Sequence, residues 1–142
     1  FIGEENPPSE TQFKEKMKKV SIFMNVFNVH VNRSPVNGNI KKIIYRSGKF
    51  FNASLDKASE HNERNSFIIK TNTDKIVVVQ IAGLIARRIL SFISEGNKID
   101  KGDRIGLIRF GSRVDIYFPP TYEIKVNQND RVVAGETIIA ER

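Results

Sequence analysis

The last third of this chain carries one pattern twice, and that repeat limits the possible folds more than any other feature. Residues 95–108 contain a turn, a short strand, a second turn around glycine and another strand, and residues 126–139 repeat this order. Short strands separated by closely spaced turns are typical of β-sandwiches and barrels. The repeat therefore predicts a mainly β, antiparallel fold of the barrel-sandwich type, with duplicated hairpins and few short helices.

The length of 142 residues is enough for one domain with a hydrophobic core. We expect residues 1–19 to form a polar and basic arm that begins as a loop, and residues 20–142 to form a single β domain. The segment 81–92 fits both a helical stripe and a bent strand. Within the domain, runs of β-branched and aromatic residues predict strands at 20–31, 40–45, 67–70 and 76–80, with a hairpin at 71–75 and a long loop at 50–64 that has a helical turn around 55–59.

Composition removes several kinds of site. The chain has no cysteine and two histidines, so it has no disulfide or thiolate site, and we expect no metal centre. Its net charge of +7 attracts phosphate, either in nucleic acid or in lipid headgroups. No nucleic-acid-binding motif is present, which favours an anionic membrane surface, and four lysines of the arm are candidates for it: Lys14, Lys16, Lys18 and Lys19.

One dipeptide, Gly111-Ser112, stands out for its chemistry. Hydrophobic and charged residues alternate on both sides of it, which predicts a strand broken by a kink. Gly111 has no Cβ, so another group can approach its carbonyl closely. The Ser112 hydroxyl can attack that carbonyl and convert the amide into an ester, which is how a chain can cut itself. The dipeptide alone equally predicts a simple turn.

Four blocks in the same order decide between these alternatives. Together they resemble the short bacterial and archaeal type of the phosphatidylserine decarboxylase family, over a stretch from about Val20 to Ala140. The blocks are Phe-Asn-Val-His-Val-Asn-Arg-Ser-Pro at 27–35, Asn-Glu-Arg at 62–64, Val-Gln-Ile-Ala-Gly-Leu-Ile-Ala-Arg-Arg at 79–88 and Arg-Phe-Gly-Ser-Arg-Val-Asp at 109–115.

The resemblance implies a chemistry for two residues. Ser112 is expected to cut the bond after Gly111 and to become a covalent pyruvoyl group, and the two fragments stay associated. His30 coincides with the family's active-site histidine and is expected to act as general base and acid. The pyruvoyl group then forms a Schiff base with phosphatidylserine, which loses CO2 to give phosphatidylethanolamine.

The resemblance also suggests residues that contact the substrate. Asn62 and Arg64 lie in a family block, and the side chains of Arg87, Arg88 and Arg113 are candidates for a phosphate or carboxylate. A structural ion pair, with Asp115 or Glu63 as partner, is the alternative for Arg87 and Arg88.

The family's segments that precede this region are missing. They include membrane-associated stretches and an aspartate that orients the histidine, and no residue of this chain maps onto that aspartate. We therefore expect the 142-residue form to process itself slowly or not at all, with Ser112 left intact.

Other functions stay open from the sequence. Archaetidylserine decarboxylation would use the same mechanism, and a biotinyl- or lipoyl-like module or a lipid-surface module would have no catalysis. A carrier module needs a lysine at a hairpin tip, which neither 98–100 nor 129–131 supplies in the required setting. We expect a soluble fragment of an enzyme that lies on the cytoplasmic face of the cell membrane, without nucleic acid, and the family leaves a homodimer open.

Overall fold

The computed structural model describes residues 1–24, 31–53, 61–83, 89–108, 112–131 and 138–142. Within these ranges the chain is mainly antiparallel β, which confirms the predicted fold class. The strands are β1 (Ile2–Glu5), β2 (Met17–Met24), β3 (Val31–Arg33), β4 (Gly38–Arg46), β5 (Arg64–Lys70), β6 (Lys75–Ile81), β7 (Ile89–Ser91), β8 (Lys98–Ile99), β9 (Arg104–Ile108), β10 (Ser112–Phe118), β11 (Glu123–Ile124) and β12 (Ala140–Glu141), with one 3-10 turn at Ser9–Thr11.

The described strands form three sheets, none of which closes on itself. The large sheet has seven strands in the order β1-β2-β10-β6-β5-β4-β8, and the small sheet has three in the order β3-β9-β7. A two-stranded ribbon pairs β11 with β12. The predicted hairpin at 71–75 is confirmed, since β5 and β6 pair from Arg64 opposite Ile81 to Lys70 opposite Lys75.

Apolar residues on alternate strand positions divide the large sheet into two faces. The inner face, with Val78, Val114 and Ile116, packs with Ile105 and Ile108 of the small sheet in one core cluster. The opposite, outer face carries a second cluster that includes Val77, Val79, Ile81 and Tyr117. The run from Ile76 to Val79 is fully buried because β6 is covered on both faces, as its unbroken β-branched sequence indicates.

Three neighbouring strands of the large sheet are connected along the chain to three neighbouring strands of the small sheet. Along the chain, β2 precedes β3, β6 precedes β7, and β9 precedes β10. In the large sheet β10 lies between β2 and β6, and in the small sheet β9 lies between β3 and β7. The three connections therefore begin and end side by side, and we call this region the junction.

Two turns of the same type lie within the two copies of the predicted repeat, one as the second turn of the first copy and one as the first turn of the second copy, while the second turn of 126–139 lies outside the described residues. The Asp100 N–H donates to Asp103 Oδ2 at 2.8 Å, and the Asn127 N–H donates to Asp130 Oδ2 at 2.7 Å. The third residue of each turn has a positive φ, 89° at Gly102 and 71° at Asn129. Glycine and asparagine tolerate this conformation better than other residues, which explains their place in both copies.

Two expectations about the N-terminal region are wrong. Residues predicted as a loop include β1, whose Ile2–Glu5 segment pairs with β2 because its backbone continues the edge of the large sheet. Lys19, predicted to face a membrane, is only 4% exposed, since it lies on the outer face of that sheet. Lys14 and Lys16 are exposed as expected. The predicted helical turn at 55–59 and the centre of 81–92 lie outside the described residues, while both ends of 81–92 are strands.

Candidate functional site at the junction

Ser112 is the first residue of β10 and lies at the junction. It pairs with Met24, the last residue of β2, and it is 1% exposed. Its Oγ atom is buried and, among the residues that the structure describes, has no hydrogen-bond partner. A buried hydroxyl without a partner costs free energy, and such groups in native proteins call for an explanation, of which a catalytic role is one.

Two other buried hydroxyls, those of Ser21 and Ser66, also lack a partner. Both belong to the interior of a strand and to the same row of the large sheet, in which Ser21 pairs with Asp115 and Ser66 pairs with Val79. This row lies on the outer face. Ser112 differs from them because it stands at the end of a strand, where the chain passes between sheets.

Several predicted site residues lie outside the described residues: Gly111, His30, Arg87 and Arg88. Among the described residues, Val31 pairs with Leu107 of β9, and Ile89 pairs with Ile108.

A chain of buried amides joins the two sheets beside Ser112. Gln80 Nε2 donates to Asn32 Oδ1 at 2.8 Å, and Asn65 Nδ2 donates to Gln80 Oε1 at 3.1 Å. Gln80 is fully buried and pairs with Val114, so it lies on the inner face, as Ser112 does. We did not predict this network from the sequence. Strand alternation could have shown it, because Gln80 continues the inward positions of Ile76 and Val78.

A buried ion cluster lies behind Ser112, on the outer face. Arg113 Nε is 3.0 Å from Asp115 Oδ1, and Lys19 Nζ is 3.5 Å from Asp115 Oδ2. Arg113 also donates to the backbone carbonyl of Ala53 at 3.0 Å. Burial raises the pKa of the neighbouring Tyr117 phenol, and the charges of Asp115 and Glu5 raise it further. Asp115 is thus used in an ion cluster on the face opposite the Ser112 hydroxyl.

Arg64 lies on the same outer face, next to a cavity of about 570 Å³. Its Nε and Nη2 atoms donate to the two oxygens of Glu10 at 2.5 Å and 2.9 Å, and Arg46 lies 3.4 Å from the same carboxylate. Burial opposes ionisation of Glu10, but the hydrogen bond from Arg64 and the two arginine charges outweigh it, so the pKa of Glu10 is lowered. The arginine thereby anchors the N-terminal region to β5.

Asn62 connects two segments near the junction. Its side-chain amide donates to the carbonyls of Phe51 and Ala82, both at 2.7 Å, and its Oδ1 accepts the Phe51 N–H at 2.8 Å. The residue is 1% exposed. The geometry gives Asn62, Arg64 and Arg113 structural contacts, and substrate contact by any of them stays a prediction.

The described residues contain no group of three or more His, Cys, Asp or Glu side chains arranged to hold a metal ion. Over the same residues, the helices are too short and too polar to span a bilayer. What the junction offers chemically is a buried hydroxyl at the start of β10, where Ser112 pairs with Met24 of β2.

Comparison with known proteins gives one family. The sequence model of the phosphatidylserine decarboxylase family matches residues 1–140. Phosphatidylserine decarboxylase proenzymes of Xanthobacter autotrophicus and Azorhizobium caulinodans are 55% and 57% identical over 141 residues. The proenzyme of Nitrobacter winogradskyi is 53% identical over 137 residues.

The match covers these relatives only in part. The alignment takes in 99% of this chain but 60% of each of the first two relatives, and 95% of this chain and 56% of the third. No solved structure gives a significant match.

Proposed function

Because the chain belongs to the phosphatidylserine decarboxylase family, we propose that it carries the self-cleaving centre of an enzyme that converts phosphatidylserine to phosphatidylethanolamine and CO2. The observation that carries this proposal is the unpartnered, buried Oγ of Ser112 at the junction. The relatives' name "proenzyme" also supports it, since it describes a precursor that is processed.

In the first step, Ser112 Oγ attacks the carbonyl carbon of Gly111. The peptide C–N bond breaks, an ester forms, and the nitrogen of Ser112 becomes a free amine. Loss of the Ser112 Cα proton then expels Gly111 as a carboxylate. Addition of water to the remaining dehydroalanine, after its tautomerisation, releases ammonia and leaves a ketone at the new N-terminus.

His30 is the proposed proton carrier for this step. A serine hydroxyl is a weak nucleophile, so a base must take its proton as it attacks. A histidine titrates near neutral pH and can both accept and return a proton. The pairing of Val31 with β9 supports the assignment, because β9 is the strand that leads to Gly111 and Ser112.

The surroundings of Ser112 fit this chemistry. Burial excludes bulk water from Oγ, which protects the ester from simple hydrolysis. Pairing with Met24 and the ladder between β10 and β6 fix the backbone on the C-terminal side of the bond. When formed, the pyruvoyl group supplies a ketone that binds the substrate amine and accepts the electrons released with CO2. His30 would then return a proton to the carbon that lost CO2.

The partner that follows from this function is an anionic membrane surface, because the substrate is a membrane lipid. The net charge of +7 supports that partner. On the same ground we place the enzyme at the cytoplasmic face of the membrane.

Intact-mass measurement of the full-length protein tests the proposal. We expect two pieces divided between Gly111 and Ser112, with the second piece starting in pyruvoyl. Ser112→Ala should stay uncut and inactive, because no hydroxyl remains. His30→Ala should slow cleavage by about 10²–10⁴-fold, the usual contribution of a general base. A full-length protein that stays uncut while it decarboxylates phosphatidylserine would show that the mechanism is wrong.

A further inference from the structure

The small sheet has one face toward the core and one face away from it. Asn32 and Gly106 are cross-strand partners, and both face Gln80 of the large sheet: Asn32 accepts its hydrogen bond, and a Cβ at Gly106 would collide with its amide. Val31, the next position along β3, must therefore point the other way, because side chains alternate along a strand.

Apolar side chains form a row on this second face. Val31 pairs with Leu107, and Leu107 pairs with Leu90, so the three side chains lie together across the three strands. Each is only partly buried, and in the part of the chain that the structure describes none of them packs against either core cluster. Phe92, two positions beyond Leu90, extends the row and is 52% exposed. An apolar row of this kind marks a contact surface more often than a free one.

Two arginines border the row. Arg33 and Arg104 are cross-strand partners and both are exposed. Arg33 donates to the carbonyl of Gly102 at 2.9 Å, which holds its guanidinium at the surface. Over the described residues, neither arginine forms an ion pair. Like charges directly opposite each other destabilise a sheet, so this pair is best accommodated by an anionic partner.

We propose that this docking face, made of Val31, Leu90, Phe92, Leu107, Arg33 and Arg104, binds the surface of an anionic lipid bilayer. The arginines would contact phosphate headgroups, and Phe92 with the three aliphatic residues would enter the boundary between headgroups and acyl chains. Phenylalanine and leucine are common on the apolar side of segments that bind at this boundary.

The inference rests on the proposed function, and the topology connects the two. Val31 directly follows His30, and β9, the central strand of the docking face, ends at Ile108 shortly before Gly111 and Ser112. An enzyme that acts on a membrane lipid needs its reactive residue beside the bilayer surface. Docking through the small sheet would bring the junction there, while the seven-stranded sheet stays on the far side.

Vesicle sedimentation of the full-length protein tests the docking face. We expect binding to vesicles of phosphatidylcholine with phosphatidylserine, and much weaker binding to phosphatidylcholine alone. Arg33→Ser with Arg104→Ser should weaken binding to the anionic vesicles about 30-fold, at roughly fivefold per basic residue. Phe92→Ser should weaken it roughly tenfold, because the ring no longer leaves water on binding.

Matched control variants distinguish binding through the docking face from a general effect of net charge or of an exposed aromatic ring. Lys41→Ser with Lys42→Ser removes the same two charges from exposed positions on β4, in the other sheet. Phe1→Ser removes an aromatic ring that is 45% exposed on the opposite side of the large sheet. Both controls should bind anionic vesicles within about threefold of the wild type. Equal losses in the arginine and lysine variants would overturn the proposal, since net charge alone would then explain binding.

The same variants test whether a second copy of the chain, and not a bilayer, binds the docking face. If Phe92→Ser converts a dimer into a monomer, as measured by light scattering, and leaves vesicle binding unchanged, the face is a protein interface and the proposal is wrong. Binding is measured without turnover, so it does not depend on the Ser112 chemistry. Failure of the proposed function would appear instead as an uncut wild-type protein in the mass measurement.

Discussion

At the scale of single residues, the alternation of side chains along β10 places the charged groups on one face and the Ser112 hydroxyl on the other. Ser112 faces inward, as its apolar neighbours Val114 and Ile116 do, whereas Arg113 and Asp115 both lie on the outer face. The buried Asp115 carboxylate needs cationic partners, and Arg113 and Lys19 provide them. One strand thus carries both the hydroxyl that is proposed to react and, on its other face, two residues of the ion cluster.

Glu10 gives a prediction at this scale. Because its pKa in the folded chain lies below the ordinary value of 4.5, its contribution to stability is present above that value and is lost as pH falls through the folded pKa. Glu10→Gln should lower the free energy of unfolding at pH 7 by about 1–2 kcal/mol, since Arg64 loses a charged partner. Between pH 7 and pH 3 the difference in stability between the variant and the wild type should shrink, as pH falls toward and through the folded pKa.

Urea denaturation at the two pH values measures this effect. Glu4→Gln, at an exposed position of β1, is the matched control and should have little effect at either pH. A loss for Glu10→Gln that is equally large in acid would show that the ion pair with Arg64 is not its cause.

At the scale of elements, the two sheets touch where backbone comes close to the Gln80 side chain. A Cβ added at Gly106 would meet the Gln80 amide and would lie 2.5 Å from the carbonyl oxygen of Leu90. The absence of a side chain at this one position of β9 therefore permits the amide network that joins β6 to β3. The network is fully enclosed, so neither sheet can shift without breaking hydrogen bonds.

Gly106→Ala should destabilise the protein by about 1–3 kcal/mol, the usual cost of overpacking. Gly3→Ala is the control, because the atoms it would meet belong to the Phe1 ring, which can move aside. We expect the control to cost less than about 0.5 kcal/mol. Thermal unfolding of both variants measures the difference, and equal stability of the two would contradict the close packing at Gly106.

At the scale of the whole molecule, the proposed cleavage would place β10, a central strand of the large sheet, on a different fragment from the other strands of that sheet. The bond after Gly111 lies between β9 of the small sheet and β10 of the large sheet. After cleavage, β10 would remain in the interior of the large sheet, paired with both β2 and β6. The C-terminal fragment also supplies Ile116, Phe118 and Tyr122 to the main core cluster.

We therefore expect the two fragments to stay together after cleavage. Separation would expose the apolar side chains of β10 and would leave β2 and β6 each without one of their two neighbouring strands. Size-exclusion chromatography in native buffer should give one peak that contains both fragments, and denaturant should separate them. The uncut Ser112→Ala variant gives the reference elution volume, and a small fragment that elutes by itself in native buffer would contradict the prediction.

The sequence by itself determined the class of fold and the family, and it predicted the position of the bond that is proposed to react. Alternation and β-branched runs predicted β4, β5, β6 and the hairpin between the last two, because these signals depend on nearest neighbours along the chain. The repeat predicted a turn in each copy for the same reason. The order of four blocks identified the family and predicted Ser112 as the reactive residue, since residue identity, not geometry, carries that information.

Only the tertiary structure decided which groups meet across the sheets. The partners of Asp115 and Gln80 come from distant strands, and no local pattern states which strands become neighbours. For the same reason Lys19 belongs to a basic run in the sequence but is buried in the fold. Residues 2–5 likewise form a strand because they pair with β2 at the edge of the large sheet. Residues that are neighbours along the chain determine strands and turns, whereas burial and ion pairing depend on contacts that exist only after the sheets have formed.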